Sequence, residues 1–300
     1  LGVCDLDGEV LVDADLDQEV GVGPDELMPL LVARMTELLD EVGRTGSDVR
    51  GVGLSIPGTV DFESGTSLDS AIMRGWDGVA LTPYLRPIVD APTFVDNDAN
   101  VMALSERRGH LERFRHALLV KASTGLGVGV VSDGRILRGA LGAAGEVGHT
   151  KTPAAQGRVC RCGDVGCLEA VAGGWALVQA MREQGRDLGH VRDLVALARE
   201  GDGEARRLVR DSGRRTGEVL AGAVNLLNPE AVIVGGDMAL AYDTFVAGLR
   251  ETVYSNATAL ATRELQIVPT THGESSGVVG CAAMVLEQVL SVAAVDAALA

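Results

Sequence analysis

The chain has 300 residues, of which 46% are hydrophobic and only 3% aromatic. That hydrophobic fraction can build a packed core, which excludes global disorder, and the length suits one large or two modest domains. Acidic residues outnumber basic ones by 42 to 26, and the formal net charge of −16 makes the chain by itself a poor binder of nucleic acid. No apolar run approaches the roughly 20 residues of a membrane span, and no signal peptide is visible. We therefore predict a cytoplasmic protein without membrane contact.

The chain opens with a predicted hairpin. Residues 1–6 and 9–13 are predicted to be its two strands, and Asp7 and Gly8 its tight turn. Because a sheet that opens in mid-hairpin lacks an earlier strand, we expect further residues of the protein upstream of Leu1.

Strands and helices then alternate along the chain. Periodicity predicts a helix over residues 27–42 and strands over 50–56 and 94–95, the latter followed by a helix that Asp96 or Asn97 can cap. The second half is predicted to contain strands over residues 117–121, 128–131, 231–234 and 265–268, and helices over 168–183, 191–199, 204–227, 240–258 and 276–290. This alternation indicates an α/β architecture.

Four residues have the spacing of a metal site. His149 is followed by Cys160, Cys162 and Cys167, three of the five cysteines in the chain. Three thiolates and one imidazole form a tetrahedral zinc set, and four protein ligands without an open position indicate a structural site. The alternative is three ordinary buried or free cysteines near an unrelated histidine.

Three carboxylates stand near features that could place them in a binding site. Glu146 and Glu169 flank the metal loop, where a rigid loop would hold them to accept hydrogen bonds from sugar hydroxyls. Asp98 follows Asn97 at a strand-to-helix junction, where an aspartate could remove a proton from an attacking hydroxyl in phosphoryl transfer. The alternatives are solvated surface acids for the two glutamates and an aspartate that stabilises the helix dipole.

Two glycine turns could cradle phosphate with backbone N–H groups. One is STGLG, which places Thr124 and Gly125 at a strand corner, and the other is Gly235 and Gly236 in VGGD. Neither turn is specific in a chain with 39 glycines. No GxGxxG fingerprint opens a helix and no Walker A sequence is present, which disfavours a Rossmann dehydrogenase and a P-loop enzyme.

In chain order, the segments IPGTVD, VDNDAN, STGLGVGVV, GEVGH, CRCGDVGCLE and NPEAVIVGGD closely resemble the ROK family of repressors, open reading frames and sugar kinases. The resemblance covers nearly the whole chain. It implies an actin/hexokinase-like (ribonuclease H-like) α/β fold whose first strand is expected to be missing here. The two implied lobes are residues 1–106 with 284–300, and residues 107–283, which carry the zinc loop.

The resemblance also implies residue roles. His149, Cys160, Cys162 and Cys167 would bind structural zinc. The residues implied to contact sugar hydroxyls are Asn97, Asp98, Glu146, His149 and Glu169. In a kinase Asp98 would be the catalytic base and Mg-ATP the cofactor. The residues that would face the nucleotide phosphates are Ser123, Thr124, Gly125, Gly127, Gly235 and Gly236.

Two features of the sequence favour the regulators of that family. Family kinases open with a strand that carries DxGxT, and this sequence begins one hairpin strand later. The loop IMRGWDGVALTPYL and the tail VLSVAAVDAALA resemble those of the family's repressors, in which a winged helix-turn-helix precedes the sugar-binding part. Nothing in these 300 residues looks like such a motif.

The sequence therefore predicts the zinc-stabilised, sugar-binding effector domain of a ROK transcriptional regulator. It would bind a hexose or amino sugar, contact DNA only through a segment absent here, and form a homodimer or homotetramer. The alternative is a glucokinase-like sugar kinase, truncated at its N-terminus, that transfers phosphate from ATP to a hexose. A third hypothesis is an unrelated zinc-binding scaffold.

Overall fold

The computed structural model of the protein describes residues 1–16, 22–68, 73 and 75–299. Its strands are β1 Gly2–Cys4, β2 Val10–Asp13, β3 Val52–Ile56, β4 Val60–Asp61, β5 Thr66–Ser67, β6 Thr93–Asn97, β7 Ala117–Ala122, β8 Leu126–Ser132, β9 Arg135–Ile136, β10 Ala231–Gly235 and β11 Gln266–Pro269. Its helices are α1 Pro24–Glu41, α2 Thr82–Leu85, α3 Asp98–Ser105, α4 Glu169–Ala172, α5 Gly174–Glu183, α6 Val191–Glu200, α7 Gly203–Leu227, α8 Tyr242–Asn256, α9 Ala259–Thr262, α10 Ser276–Val289 and α11 Val292–Leu299.

The chain divides into two compact units. Unit 1 contains residues 1–108, 139–143 and 274–300, and unit 2 contains residues 109–138 and 144–273. In the described ranges, no helix is both long and apolar enough to cross a membrane. Residues 72 and 74 of the repressor-like loop, and residue 300 of the tail, lie outside the described residues.

Unit 1 combines a hairpin with a parallel strand pair. β1 and β2 are antiparallel, and the turn between them uses Gly8 at a φ of +75°, which confirms the predicted hairpin. β3 and β6 are parallel, with Val52 opposite Thr93 and Ile56 opposite Asn97. The core of this unit includes Met28, Val52, Ile56, Trp76, Leu85 and Val95.

Unit 2 is built on one five-stranded sheet in the order β11-β10-β7-β8-β9. β10 lies parallel to both β11 and β7, whereas β8 is antiparallel to β7 and to β9. Both β7 and β10 are almost completely buried, as expected of parallel strands covered on two faces. The α/β architecture predicted from the alternating pattern is therefore confirmed.

Helices α7 and α8 of unit 2 pack through glycines. A Cβ on Gly213 would lie 2.0 Å from the carbonyl oxygen of Phe245, and one on Gly248 would lie 2.1 Å from the carbonyl oxygen of Arg210. The two backbones are thus in direct contact, which a larger side chain would prevent.

The prediction of one continuous helix over residues 168–183 is wrong. Residues 168–183 form two helices, α4 and α5, because Gly173 between them has extended backbone angles (φ −69°, ψ 149°). A Cβ on Gly173 would lie 2.6 Å from the Cγ atom of Glu169, so the break requires glycine. The break also frees the first N–H groups of α5, which donate to the carbonyls of Ser123 and Thr124.

Candidate functional site

The four predicted metal ligands converge in unit 2. The ligand atoms of His149, Cys160, Cys162 and Cys167 all lie within 4.8 Å of one another. The Sγ atoms of Cys162 and Cys167 are 3.7 Å apart, and Sγ of Cys160 is 3.8 Å from Nδ1 of His149. A tetrahedral zinc ion with Zn–S bonds of about 2.3 Å places its sulfur ligands about 3.8 Å apart. The residues present therefore fit a metal ion of this kind.

Short backbone contacts shape the metal loop. Val159 and Val165 form an antiparallel bridge, and Lys151 bridges to Cys167. The turn inside the loop uses Gly163 and Gly166 at φ values of +90° and +89°, a backbone region that favours glycine. The cysteine spacing was therefore a reliable local signal, because this loop contains its own turns.

Burial and one lysine side chain set the electrostatics of the metal loop. Burial raises the pKa of the Cys160 thiol to about 12, so this thiol needs a nearby cation to ionise near neutral pH. The ammonium group of Lys151 donates to Sγ of Cys167 at 3.1 Å and to Asp164 at 2.9 Å. It supplies one positive charge at the edge of the cluster.

Glu146 stands beside the ligand His149. Its carboxylate oxygen is 3.9 Å from Nε2 of His149, on the opposite side of the ring from the Nδ1 atom that faces the cysteines. Metal-bound histidines commonly have a carboxylate at the second ring nitrogen, which fixes the tautomer and the ring orientation. Both side chains are about one-third exposed, so they remain accessible to a small ligand.

Glu169 is in a different environment, with only 3% of its surface exposed. Its Oε2 atom accepts a hydrogen bond from the backbone N–H of Leu126 at 3.0 Å. Its Oε1 atom accepts from the indole N–H of Trp175 at 3.1 Å and lies 3.9 Å from the guanidinium of Arg161. This carboxylate thus holds a strand, a helix and the metal loop together.

The two predicted glycine turns leave the same edge of the sheet in unit 2. β7 and β10 are parallel, with Gly235 opposite Lys121, so their carboxyl ends and the turns that follow are neighbours. Gly236 has a φ of +85°, and a Cβ there would lie 2.6 Å from the carbonyl oxygen of Ala122. This edge of a parallel sheet is where α/β proteins bind ligands.

A carboxylate lies between these two turns. The hydroxyl of Ser123 donates to Asp237, and Nε of Arg192 donates to the other carboxylate oxygen of Asp237 at 2.9 Å. The side chain of Asp237 is only 12% exposed. The corner formed by the turns thus already contains an anion that the protein itself supplies.

Backbone bonds anchor the Ser123 turn to α5. The N–H of Gly174 donates to the carbonyl of Ser123 at 2.9 Å, and the N–H of Trp175 donates to the carbonyl of Thr124 at 3.0 Å. The hydroxyl of Thr124 lies 3.1 Å from Nε2 of His190. The break at Gly173 is what frees the two donors of α5 for this contact.

In unit 1, Asn97 and Asp98 form the predicted strand-to-helix junction. The Asn97 side chain caps α3, because its oxygen accepts from the N–H groups of Ala99 (2.9 Å) and Asn100 (3.3 Å). Its amide nitrogen donates to the carbonyl of Gly58 at 2.9 Å. Asp98 is half-buried in the first turn of α3. Capping by Asn97 is thus confirmed.

Residues 1–288 match the sequence profile of the ROK family. The chain belongs to the ROK family. A xylose repressor from Caldicellulosiruptor bescii is 30% identical over 298 residues, which cover 95% of this chain and 74% of the repressor.

Solved ROK structures have the same fold. A ROK family transcriptional regulator, a homologue of the E. coli MLC protein, gives a TM-score of 0.79 at 28% identity and covers 96% of this chain and 74% of its own. A ROK family glucokinase from Streptomyces griseus, solved with glucose and AMPPNP, gives a TM-score of 0.80 at 27% identity. The match covers 94% of this chain and 94% of the glucokinase chain. These similarities confirm the predicted actin/hexokinase-like fold.

Within unit 2 of this ROK protein, the structure brings together one part of the predicted site and adds residues that sequence reasoning missed. Glu146 and Glu169 accompany the metal ligands, whereas Asn97 and Asp98 belong to unit 1. The missed residues are Arg161, Trp175, Arg192 and Asp237. Asp237 did carry a signal, since a carboxylate directly after two glycines at a strand end stands where a ligand is expected.

Proposed function

We propose that the chain is the sugar-binding effector domain of a ROK transcriptional regulator and that its DNA contacts are made by a segment outside this sequence. The similarity to a xylose repressor and to a ROK regulator supports membership of the regulator branch. The observation that carries the proposal is the position of Asp237 between the two glycine turns.

Asp237 disfavours phosphoryl transfer from a nucleotide at this corner. A phosphate site needs N–H donors and positive charge facing the ligand. Here a carboxylate occupies the corner, and it takes both the hydroxyl of Ser123 and the guanidinium of Arg192. A polyphosphate would meet a like charge and would find both donors already bonded, so its binding would be weak.

For sugar recognition we propose Glu146 and His149 in unit 2, which are about one-third exposed, and Glu169, which a ligand would reach only at the lone pairs left by its bonds to Leu126 and Trp175. Carboxylates held by a rigid loop accept hydrogen bonds from vicinal hydroxyls, and these bonds are stronger than those between neutral groups. Nε2 of His149 faces away from the cysteines and can serve a ligand hydroxyl. Sugar binding would stabilise one conformation of the effector domain and so alter the affinity of the whole regulator for its operator.

We propose that the metal is zinc in a structural role. The ligands would be His149, Cys160, Cys162 and Cys167, and the ion would supply cross-linking of the loop rather than Lewis-acid catalysis, because four protein ligands leave no open position. The chain's own residues then do the recognition, with the Glu146 carboxylate and Nε2 of His149 close together on the side of the ring away from the cysteines.

The experiment uses the full-length protein. Isothermal titration with glucose, xylose and N-acetylmannosamine should give saturable binding of at least one sugar, and that sugar should change operator affinity. ATP-dependent phosphorylation of the same sugars should be absent. Phosphorylation that Asp98→Ala abolishes would overturn the proposal and establish the alternative described next.

The second candidate is a ROK sugar kinase. It is supported by Asp98, which stands in the first turn of α3 where a general base could receive the proton of a sugar hydroxyl, and by the similarity to the Streptomyces griseus glucokinase. In this case Asp237 would have to leave the corner for Mg-ATP to bind.

A further inference from the structure

One arginine of the metal loop extends away from the metal ligands and contacts the buried carboxylate. Arg161 lies between the ligands Cys160 and Cys162. The central carbon of its guanidinium is 5.3 Å from the ring centroid of Trp175, within the range of a cation–π contact. One of its nitrogens is 3.9 Å from Oε1 of Glu169. Trp175 also packs against the cysteine cluster.

The contacts continue from this pair to the Ser123–Gly127 turn. Glu169 accepts from the N–H of Leu126, and the N–H of Trp175 donates to the carbonyl of Thr124. A Cβ on Gly125 would lie only 2.7 Å from Oε2 of Glu169, so the turn lies directly against the carboxylate. Every step of this path joins residues of unit 2.

The positive charge of Arg161 compensates the negative charge of the buried Glu169 carboxylate. Glu169 is 3% exposed, and its two hydrogen-bond donors, the Leu126 amide and the Trp175 indole, are neutral. A buried carboxylate is costly without a compensating cation. Arg161 supplies that charge, although its Nε is buried without a hydrogen-bond partner. The contacts with Glu169 and Trp175 must offset the cost of that unsatisfied donor, so they fix the guanidinium where it stands.

We propose that Arg161 is a positioning residue through which the metal loop fixes Glu169 and, with it, the Ser123–Gly127 turn. An ordered metal loop holds Arg161 in place, Arg161 holds the Glu169 carboxylate in position, and Glu169 holds the N–H of Leu126. The consequence for sugar affinity rests on the proposed function, whereas the structural consequences do not.

The experiment compares Arg161→Met with Arg158→Met. Methionine keeps much of the apolar stem and removes the charge, and Arg158 is an exposed arginine of the same loop. Both variants should retain one zinc ion per chain. Only Arg161→Met should shift Trp175 emission and make the Leu126 amide exchange about tenfold faster, which corresponds to about 1.4 kcal/mol of local stability. Removal of zinc from the unsubstituted protein should speed exchange of the same amide.

Further variants separate positioning from general stability. Arg161→Lys keeps the charge without the planar group and should restore part of the Leu126 protection. Trp175→Phe keeps an aromatic ring, although a smaller one, and removes the indole donor, so it should speed Leu126 exchange while the zinc stays bound. This second variant remains informative if Arg161→Met fails to fold.

The proposal is wrong if Arg161→Met and Trp175→Phe both keep zinc and leave Leu126 exchange as in the unsubstituted protein. Sugar affinity provides a separate readout, and Arg161→Met should weaken it about tenfold. If the unsubstituted protein binds no sugar, the proposed function fails, and the exchange data still decide the role of Arg161.

Discussion

Three carboxylates of unit 2 have the same chemistry and different surroundings. Glu146 is partly exposed beside a ring nitrogen of His149, Glu169 is buried under neutral donors and one arginine, and Asp237 is paired with Arg192 between two turns. Burial and the available donors therefore distinguish them. Glu146 is about one-third exposed and so accessible to a ligand, Glu169 already joins three segments, and Asp237 occupies a corner.

The role of Asp237 is tested by Asp237→Ala. Removing one like charge at a distance of a few ångström should strengthen ATP binding about tenfold, because the interaction energy of such a pair near a protein surface is about 1–4 kcal/mol. Asp237→Asn, which keeps the shape, should give an intermediate gain. Binding is measured by titration calorimetry at fixed ionic strength.

The matched control for that prediction is Asp243→Ala, which removes an exposed carboxylate of α8. It should leave ATP affinity unchanged. Equal ATP affinity in the unsubstituted protein and Asp237→Ala would show that the Asp237 carboxylate does not weaken nucleotide binding at the corner between the two glycine turns.

At the scale of elements, glycines repeatedly allow segments of backbone to lie in close contact. α7 and α8 touch through Gly213 and Gly248, and the break at Gly173 gives the Ser123 turn two donors from α5. The metal loop is the third case, since its positive-φ glycines let the chain turn around the ligand atoms. In each case the element's position depends on the absence of a Cβ.

Two glycines of α7 allow a matched test of the helix contact. Gly213→Ala places a Cβ 2.0 Å from the carbonyl oxygen of Phe245, so α7 and α8 must separate, at a cost of about 1–3 kcal/mol. A Cβ on Gly222 meets nothing within 4 Å, and Gly222→Ala should stabilise the protein by up to about 1 kcal/mol through helix propensity. Urea denaturation measures both, and equal effects would refute the packing argument.

The metal loop is tested by Cys162→Ser. Loss of one of four ligands should abolish stoichiometric zinc and lower the thermal midpoint, because binding free energy of a structural ion contributes to folding. Zinc affinity should also rise with pH, since burial raises the pKa of the metal-free Cys160 thiol to about 12 and binding must displace that proton. Metal analysis and calorimetry provide the measurements.

Cys4→Ser is the control for the loop, because Cys4 lies outside the cluster in unit 1. It should retain full zinc. Zinc at one ion per chain in Cys162→Ser would show that the four residues are not the ligand set.

At the scale of the whole chain, the net charge bears on the proposed separation of sugar sensing from DNA binding. A net charge of −16 creates a surface that repels a phosphate backbone, and nonspecific binding depends on cations that displace counterions. The proposed regulator therefore needs another segment for its operator contacts.

With a net charge of −16, the 300-residue chain by itself should show no DNA binding in fluorescence anisotropy, even at low salt. The positive control is the full-length protein on the same duplex. Binding by the chain alone, with affinity that falls steeply as salt rises, would contradict the prediction and reveal a local basic surface that the net charge conceals.

The sequence by itself determined the α/β class, most strands and helices, the cap at Asn97 and the cluster of His149 with three cysteines. These features depend on local periodicity, turn residues and short spacings, which act within a few residues of one another. The only large error in continuity fell at Gly173, whose extended backbone lies just before the two N–H groups of α5 that bond to the distant Ser123 turn.

Only the tertiary structure decided which side chains meet at the corner and under the metal loop. Asp237 stands 114 residues from Ser123 and 45 from Arg192, and Glu169 stands 43 residues from Leu126. Strand pairing and helix packing set these encounters. Burial then fixes the role of each carboxylate, because a charge removed from water must take whatever partners the fold places beside it.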